Sequence, residues 1–184
     1  MKKNSIKQKI PNILTMSRIL VIPIVMGLFF IQEGWALWTI LALYIYASLT
    51  DFLDGYLARR WKVVSDLGRF LDPIADKLLV ATLLILLVAN NQIAGINVVA
   101  LVLILLREMF VSGLREFMGP KKVVIHVTQL AKWKTTMQMV ATCFLIVNFI
   151  PEISFFASML LWIATVLTVV TGYSYFKASL KHMK

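Results

Sequence analysis

The chain has 184 residues, of which 60% are hydrophobic, and its mean hydropathy is +0.83. This composition excludes an ordinary soluble domain and indicates a single polytopic membrane domain over residues 1–184. A net charge of +10 also occurs in nucleic-acid-binding proteins, but here most of the cations lie between or near the ends of apolar segments. We therefore expect membrane lipid, and no nucleic acid, as the partner of these charges.

Six apolar segments predict an all-α protein with six transmembrane helices. Residues 1–10 are basic with scattered apolar positions, and no small-residue cleavage site follows the first apolar run, so a secretory signal is not predicted. We expect this segment to lie on anionic lipid at the cytosolic face. The single Cys143 lies within the fifth span and allows no internal disulfide. The predicted spans are approximately residues 13–31, 36–57, 73–89, 98–117, 133–150 and 153–176.

The distribution of Lys and Arg predicts the orientation of these spans. The connections at 32–35, 90–97 and 151–152 contain neither residue, whereas the connections on the opposite side are basic. Cytoplasmic loops of membrane proteins carry an excess of such cations. The sequence therefore predicts a multi-pass protein of the bacterial plasma membrane with both termini in the cytosol.

Five of the nine acidic residues lie in the stretch 51–76, which runs from the end of the second predicted span to the start of the third. Asp51 and Asp54 are three residues apart, and Asp72 and Asp76 are four apart, so each pair shares a helix face. Converging carboxylates repel one another unless cations lie between them, and oxygen-only ligands favour Mg2+ or Mn2+ over zinc. Alternatively these residues form helix caps and loop salt bridges. Asp72 followed by Pro73 has the pattern of an N-cap, but that explains Asp72 alone.

The spacing around these aspartates resembles the signature of the CDP-alcohol phosphotransferases, integral membrane enzymes of phospholipid synthesis. The pattern Asp-x2-Asp-Gly-x2-Ala-Arg-x8-Gly-x3-Asp-x3-Asp is matched at Asp51, Asp54, Gly55, Ala58, Arg59, Gly68, Asp72 and Asp76. The resemblance implies a homodimer with a site for two divalent ions, either Mg2+ or Mn2+. It implies that all four aspartates are metal ligands and that the first three hold the diphosphate of a CDP-linked lipid. Asp76 is then also the general base.

The remaining motif positions are suited to the nucleotide part of that substrate. Gly55 and Gly68 lack a Cβ and Ala58 is small, so a nucleotide can approach the backbone closely. Arg59 carries a fork of donors suited to phosphate oxygens. Gly55 and Ala58 are equally suited to close helix packing, and both roles can hold at once.

Two later segments and the opening of the chain resemble the branch of this family whose acceptor is glycerol 3-phosphate. These are REMFVSGLRE at 107–116, AKWKTTMQ at 131–138 and PNILTMSRILVIP at 11–23; Ala131 departs from an expected Gly. Four cations there are suited to an acceptor that bears its own phosphate: Arg107, Arg115, Lys132 and Lys134. Further headgroup contacts are expected from Asn12, Thr15, Arg18, Thr135 and Gln138.

Each of these assignments has a structural alternative. Lys132 and Lys134 are suited to snorkelling toward lipid phosphates, and Arg107 to an ion pair with Glu108. Asn12 and Thr15 are as well suited to capping the first helix.

The sequence therefore predicts an enzyme that transfers the phosphatidyl group of CDP-diacylglycerol to glycerol 3-phosphate, giving phosphatidylglycerophosphate and CMP. A cardiolipin synthase of the same superfamily, with phosphatidylglycerol as acceptor, is one alternative. A divalent-cation transporter whose pathway is lined by the four aspartates is an alternative from another class. The position of the acids at one membrane face counts against it, because transporter sites lie near the midplane.

Overall fold

Six α-helices account for nearly all of the chain that the computed structural model describes, namely residues 2–31, 33–61, 66–119 and 129–180. The side chains of residues 2–11, 57–59, 66–67, 69 and 73 lie outside this description. No strand occurs within the described ranges, which confirms the predicted all-α class. The helices are α1 (Lys2–Phe29), α2 (Gly34–Trp61), α3 (Asp66–Ala89), α4 (Asn97–Met118), α5 (Gln129–Ile146) and α6 (Pro151–Leu180).

The start of α1 differs from the prediction. This helix begins at Lys2, so the basic N-terminal segment continues without a break into the first apolar stretch. Lysine and glutamine favour helix, and one continuous helix leaves no exposed backbone ends between the two parts. The proposed capping of the first helix by Asn12 and Thr15 is therefore wrong, because both residues lie well inside α1.

The start of α3 also differs. The helix begins at Asp66 and passes through Pro73, so the N-cap role considered for Asp72 is wrong. The buried positions Gly68, Ala75 and Leu79 explain the earlier start, because they extend one helical stripe back beyond the proline. Packing of that stripe outweighs the helix break that a proline predicts.

Four helices are long and apolar enough to cross a membrane within the described ranges, over Asn12–Phe29, Gly34–Tyr56, Asn97–Met118 and Pro151–Leu180. α3 begins with the charged motif, and α5 contains Lys132 and Lys134, so the apolar part of each is shorter. Large apolar side chains such as Phe52 and Phe155 are exposed along the helices. An apolar outer surface of this extent is typical of an all-α membrane protein.

The first compact unit, Met1–Asn90, consists of α1, α2 and α3. α1 packs against both α2 and α3. The helices meet along stripes with a spacing of three or four residues, at Val21, Val25 and Phe29, at Ala36, Ile40, Tyr44 and Ala47, and at Ala75, Leu79, Leu83 and Leu87. The alanines at these contacts allow close approach of the backbones. This approach brings the polar residues at one end of the three helices together.

The second compact unit, Asn91–Lys184, consists of α4, α5 and α6. α6 packs against both α4 and α5. The turn before α4 uses left-handed backbone at Asn91 (φ 56°) and Gly95 (φ 58°), the residue types that adopt it most readily. The start of α4 is tied to α6, because Asn97 donates to Ser158 (3.0 Å) and accepts from Trp162 Nε1 (3.0 Å). The middle and the far end of α4 carry two of the predicted acceptor cations, Arg107 and Arg115.

Candidate active site

An ion-pair cluster lies where α1, α2 and α3 meet in the first unit. The Arg18 side chain on α1 is only 1% exposed; its Nη1 donates to Asp51 Oδ1 and its Nη2 to Asp54 Oδ2. The same Nη2 lies 3.6 Å from Oδ1 of Asp72. The structure therefore brings three of the four predicted carboxylates around one guanidinium, which the sequence had suggested only as a headgroup contact.

The cluster is buried on one side and accessible on the other. The Asp54 side chain is 5% exposed, whereas those of Asp51 and Asp72 are 47% and 43% exposed. Thr15 Oγ1 on α1 donates to Asp72 Oδ1 and so fixes this carboxylate. Asp76 follows Asp72 by about one helical turn and is exposed. A molecule outside the bundle can therefore reach the carboxylates of Asp51 and Asp72.

The small motif residues lie beside these acids on the same helices. Gly68 is buried in the first turn of α3 and lies on the face that carries Asp72. Gly55 is half-buried on α2 directly after Asp54. Ala58 and Arg59 belong to α2, but their side chains lie outside the described residues, so their predicted roles stay predictions.

The donor chemistry of the cluster fits a hard divalent cation, because carboxylate oxygens are the ligands that Mg2+ and Mn2+ prefer. As the side chains stand, however, no three His, Cys, Asp or Glu residues of the described ranges come close enough to hold one metal ion. The Arg18 guanidinium lies between Asp51 and Asp54 and bonds to both. The carboxylates thus already converge on one cation, the guanidinium of Arg18.

A second charged cluster lies in the other unit, around Glu108 on α4. Its Oε1 accepts a hydrogen bond from Arg107 Nη1 (3.2 Å) and another from Lys134 Nζ on α5. The Lys134 side chain is 5% exposed, so the snorkelling alternative is wrong for this residue. The ion pair of Arg107 with Glu108 is present as the alternative predicted, and Lys134 shares the same carboxylate.

Two residues of α6, Thr171 and Tyr175, contact the two arginines of α4. Arg107 Nη2 donates to Thr171 Oγ1 (3.1 Å), and Arg115 Nη2 donates to the Tyr175 hydroxyl (3.0 Å). The Tyr175 ring lies 5.7 Å from Cζ of Arg107 and 5.1 Å from Cζ of Arg115, within cation–π range. One buried tyrosine therefore holds both guanidinium groups near each other.

The other predicted headgroup residues have different environments. Lys132 and Thr135 are exposed on α5, and the Thr135 hydroxyl donates to the Ala131 carbonyl (3.1 Å). Gln138 is buried, and its Oε1 has no hydrogen-bond partner among the described residues. Asn12 is half-buried beside an open apolar groove along α1. Their contacts with a headgroup stay predictions.

The sequence of the chain matches a known protein family. The sequence model of the CDP-alcohol phosphatidyltransferase family matches residues 8–170, most of the chain.

The chain belongs to the CDP-alcohol phosphatidyltransferase family.

Individual relatives of this family match over nearly their whole length. A protein of Rickettsia prowazekii is 44% identical over 177 residues, covering 94% of this chain and 96% of the relative. Relatives from Cereibacter sphaeroides and Bacillus subtilis are 38% and 36% identical, each covering 95% of this chain and 97% of the relative. All three are named CDP-diacylglycerol–glycerol-3-phosphate 3-phosphatidyltransferase.

Some residues of both clusters have roles that the sequence did not reveal. Arg18 falls inside the part of the chain that the family model matches, but its spacing from the aspartates gives no hint that they are partners. Thr171 and Tyr175 follow the matched residues and lie in an apolar helix. The spacing of Thr171 and Tyr175 by one helical turn is the signal that points to a shared polar face.

Proposed function

We propose that this protein transfers the phosphatidyl group of CDP-diacylglycerol to glycerol 3-phosphate, with release of CMP. The observation that carries the proposal is the gathering of Asp51, Asp54 and Asp72 in a chain whose near-full-length relatives carry the name of that activity. The chain covers 96% of the Rickettsia prowazekii relative, so the comparison concerns whole proteins rather than a shared fragment.

The first unit provides the donor site in this proposal. Asp51, Asp54, Asp72 and Asp76 would hold Mg2+ or Mn2+, two ions in all, and bound metal would offset negative charge on the diphosphate oxygens. Asp76 accepts the proton of the acceptor hydroxyl as general base, a role suited to its exposed position one turn after Asp72. The hydroxyl oxygen bonds to the lipid-side phosphorus, and the bond from that phosphorus to the oxygen of CMP breaks.

The second unit provides the acceptor site. Arg107 and Lys134 share the single negative charge of Glu108, whereas Arg115 contacts the hydroxyl of Tyr175. The three cations and one carboxylate carry a net charge of +2. A phosphate group of the acceptor matches that excess through charge-assisted hydrogen bonds. An uncharged polyol would leave it uncompensated. Lys132, exposed on α5, adds a cation on the same helix as Lys134.

The site lies at the cytosolic face of the membrane in this proposal, with six spans and both termini in the cytosol. The lysine-free and arginine-free connections at 32–35, 90–97 and 151–152 support that orientation. A site at the membrane edge allows the diacylglycerol part to stay in the bilayer while glycerol 3-phosphate arrives from water. The functional protein is a homodimer in the same proposal.

Purified protein with CDP-diacylglycerol and Mg2+, given one acceptor at a time, tests the proposal. Glycerol 3-phosphate, serine, inositol phosphate and phosphatidylglycerol are offered in parallel, and both CMP and the lipid product are quantified. We expect CMP and phosphatidylglycerophosphate in equal amounts with glycerol 3-phosphate, and no product with the other three acceptors. Product only in the reaction with phosphatidylglycerol would indicate a cardiolipin synthase instead. Metal uptake into vesicles without any CMP release would favour a transporter.

A further inference from the structure

We propose that Arg18 is the built-in counter-cation of the aspartate cluster and that a divalent ion must displace its guanidinium to bind there. Arg18 then sets the metal affinity of the site, and it stabilises the protein when no metal is bound. The inference rests on the proposed role of the aspartates as metal ligands. It adds a function for a residue that lies outside the aspartate motif.

The charges of the cluster support this role. Arg18 contributes one positive charge against the three carboxylates of Asp51, Asp54 and Asp72. Their sum is −2, which is large for a cluster that is buried on one side at the end of a helix bundle. Without Arg18 the sum would be −3, and the repulsion among the carboxylates would rise. Arg18 therefore stabilises the metal-free cluster, but its charge also opposes an incoming cation.

The atoms of the cluster support competition rather than coexistence. The guanidinium bonds to Oδ1 of Asp51 and Oδ2 of Asp54, and it faces Oδ1 of Asp72. Each carboxylate keeps a second oxygen, so an incoming ion would not lack lone pairs. As the side chains stand, however, no three acidic residues of the described ranges are placed to share one ion, so metal binding requires the carboxylates to rearrange. That rearrangement would draw them away from the guanidinium, so metal binding competes with Arg18 pairing.

Arg18 is also held incompletely, which suits a group that must move. Its Nε is buried and has no hydrogen-bond partner among the described residues. A buried donor without a partner makes the paired state less favourable than it would be with all donors satisfied. A purely structural arginine gains most when every donor is bonded. The unsatisfied Nε lowers the cost of withdrawing the guanidinium from the carboxylates.

Metal titration of purified full-length protein in detergent tests this inference. Binding of Mn2+ is followed by the loss of the free-ion electron paramagnetic resonance signal, without any substrate. The variant Arg18→Gln removes the charge and keeps a polar side chain. Arg60→Gln is the matched control, because Arg60 is exposed on α2 and its guanidinium contacts Tyr56 (3.1 Å to the hydroxyl). Both variants lower the net charge of the protein equally.

We expect Arg18→Gln to bind Mn2+ about tenfold more tightly than the unmodified protein, and Arg60→Gln to change the affinity less than about twofold, since exposed charges are screened. In EDTA, Arg18→Gln should unfold at a lower temperature than the unmodified protein. Saturating Mn2+ should raise the Tm of Arg18→Gln by more than it raises the Tm of the unmodified protein. The Mn2+ affinity of Arg18→Lys, which retains the charge with fewer donors, should lie between those of the unmodified protein and Arg18→Gln. This variant covers the case in which Arg18→Gln does not fold.

Equal or weaker Mn2+ binding by folded Arg18→Gln or Arg18→Lys would overturn the inference and leave Arg18 a structural ion pair. Absence of Mn2+ binding in the unmodified protein would overturn it together with the metal assignment. The acceptor assay above measures phosphatidyl transfer separately, so failure of the Arg18 inference is distinguishable from failure of the proposed reaction.

Discussion

Gly172 of α6 lies directly against the Arg107 side chain of α4. A Cβ built on Gly172 would come within 2.8 Å of Arg107 Cγ, closer than Cβ contacts allow. Cγ lies near the root of the arginine side chain, so the guanidinium cannot relieve the overlap by swinging its far end. The absence of a side chain at 172 therefore allows Arg107 to reach both Thr171 and Glu108.

Substitution of Gly172 by Ala should accordingly displace Arg107. We expect a loss of about 1–3 kcal/mol in the free energy of unfolding, as for other overpacked positions, despite the higher helix propensity of alanine. The apparent KM for glycerol 3-phosphate should rise, while that for CDP-diacylglycerol should not. Gly113→Ala is the control, because a Cβ there meets no heavy atom within 4 Å. Equal stability of the two variants would contradict the role given to Gly172.

Neutralisation of the clustered aspartates should abolish the reaction. Asp51→Asn, Asp54→Asn and Asp72→Asn keep the shape of the side chain but remove the charge that binds a cation. We expect activity to fall more than about a thousandfold in each variant. Initial rates at saturating Mg2+, with Glu152→Gln on α6 as the control acid, measure the effect. Near-full turnover in any of the three would show that its carboxylate is not a metal ligand.

The acceptor site predicts a kinetic separation of the two substrates. Arg115→Gln removes a charge-assisted contact worth about 1.5–3 kcal/mol, so the KM for glycerol 3-phosphate should rise about ten- to a hundredfold. The KM for CDP-diacylglycerol should stay nearly unchanged. Lys177→Gln, an exposed cation in the last turn of α6, is the control for charge alone. Equal shifts for both substrates in Arg115→Gln would remove the case for a phosphorylated acceptor.

Thiol labelling at the two ends of α6 tests the proposed orientation of this helix. Glu152 and Lys177 are separated by about 38 Å at the helical rise of 1.5 Å per residue, more than the ~30 Å hydrocarbon core. In a Cys143→Ala background, Glu152→Cys should react with an impermeant thiol reagent added to intact cells. Lys177→Cys should react only after permeabilisation. The opposite labelling pattern would reverse the proposed topology.

The helices were predictable because a bilayer requires long apolar segments with internally satisfied backbone, and four of the described helices are long and apolar enough to cross one. Their ends were less predictable. α3 begins seven residues before Pro73, at Asp66, because the buried stripe through Gly68 outweighs the signal of the proline. Stripe packing depends on contacts with α1, and the local sequence does not contain that information.

The aspartates of the candidate site were likewise predictable, because their spacing resembles the signature of the CDP-alcohol phosphotransferases. Arg18 was not, since its partners lie 33 and 36 residues away along the chain. The pairing of Lys134 with Glu108 depends on which faces of α4, α5 and α6 meet, and so does the contact of Arg115 with Tyr175. A sequence read one helix at a time predicts faces, but not which of them come into contact.

The fate of one phosphorus atom tests the proposed reaction most directly. CDP-diacylglycerol labelled with 32P in the lipid-side phosphate is incubated with purified protein, Mg2+ and unlabelled glycerol 3-phosphate, and the lipid and water-soluble products are separated. If the acceptor hydroxyl attacks that phosphorus, all transferred label appears in phosphatidylglycerophosphate and the released CMP is unlabelled. Label in a water-soluble product, or release of labelled phosphatidic acid in place of phosphatidylglycerophosphate, would contradict the proposed phosphatidyl transfer.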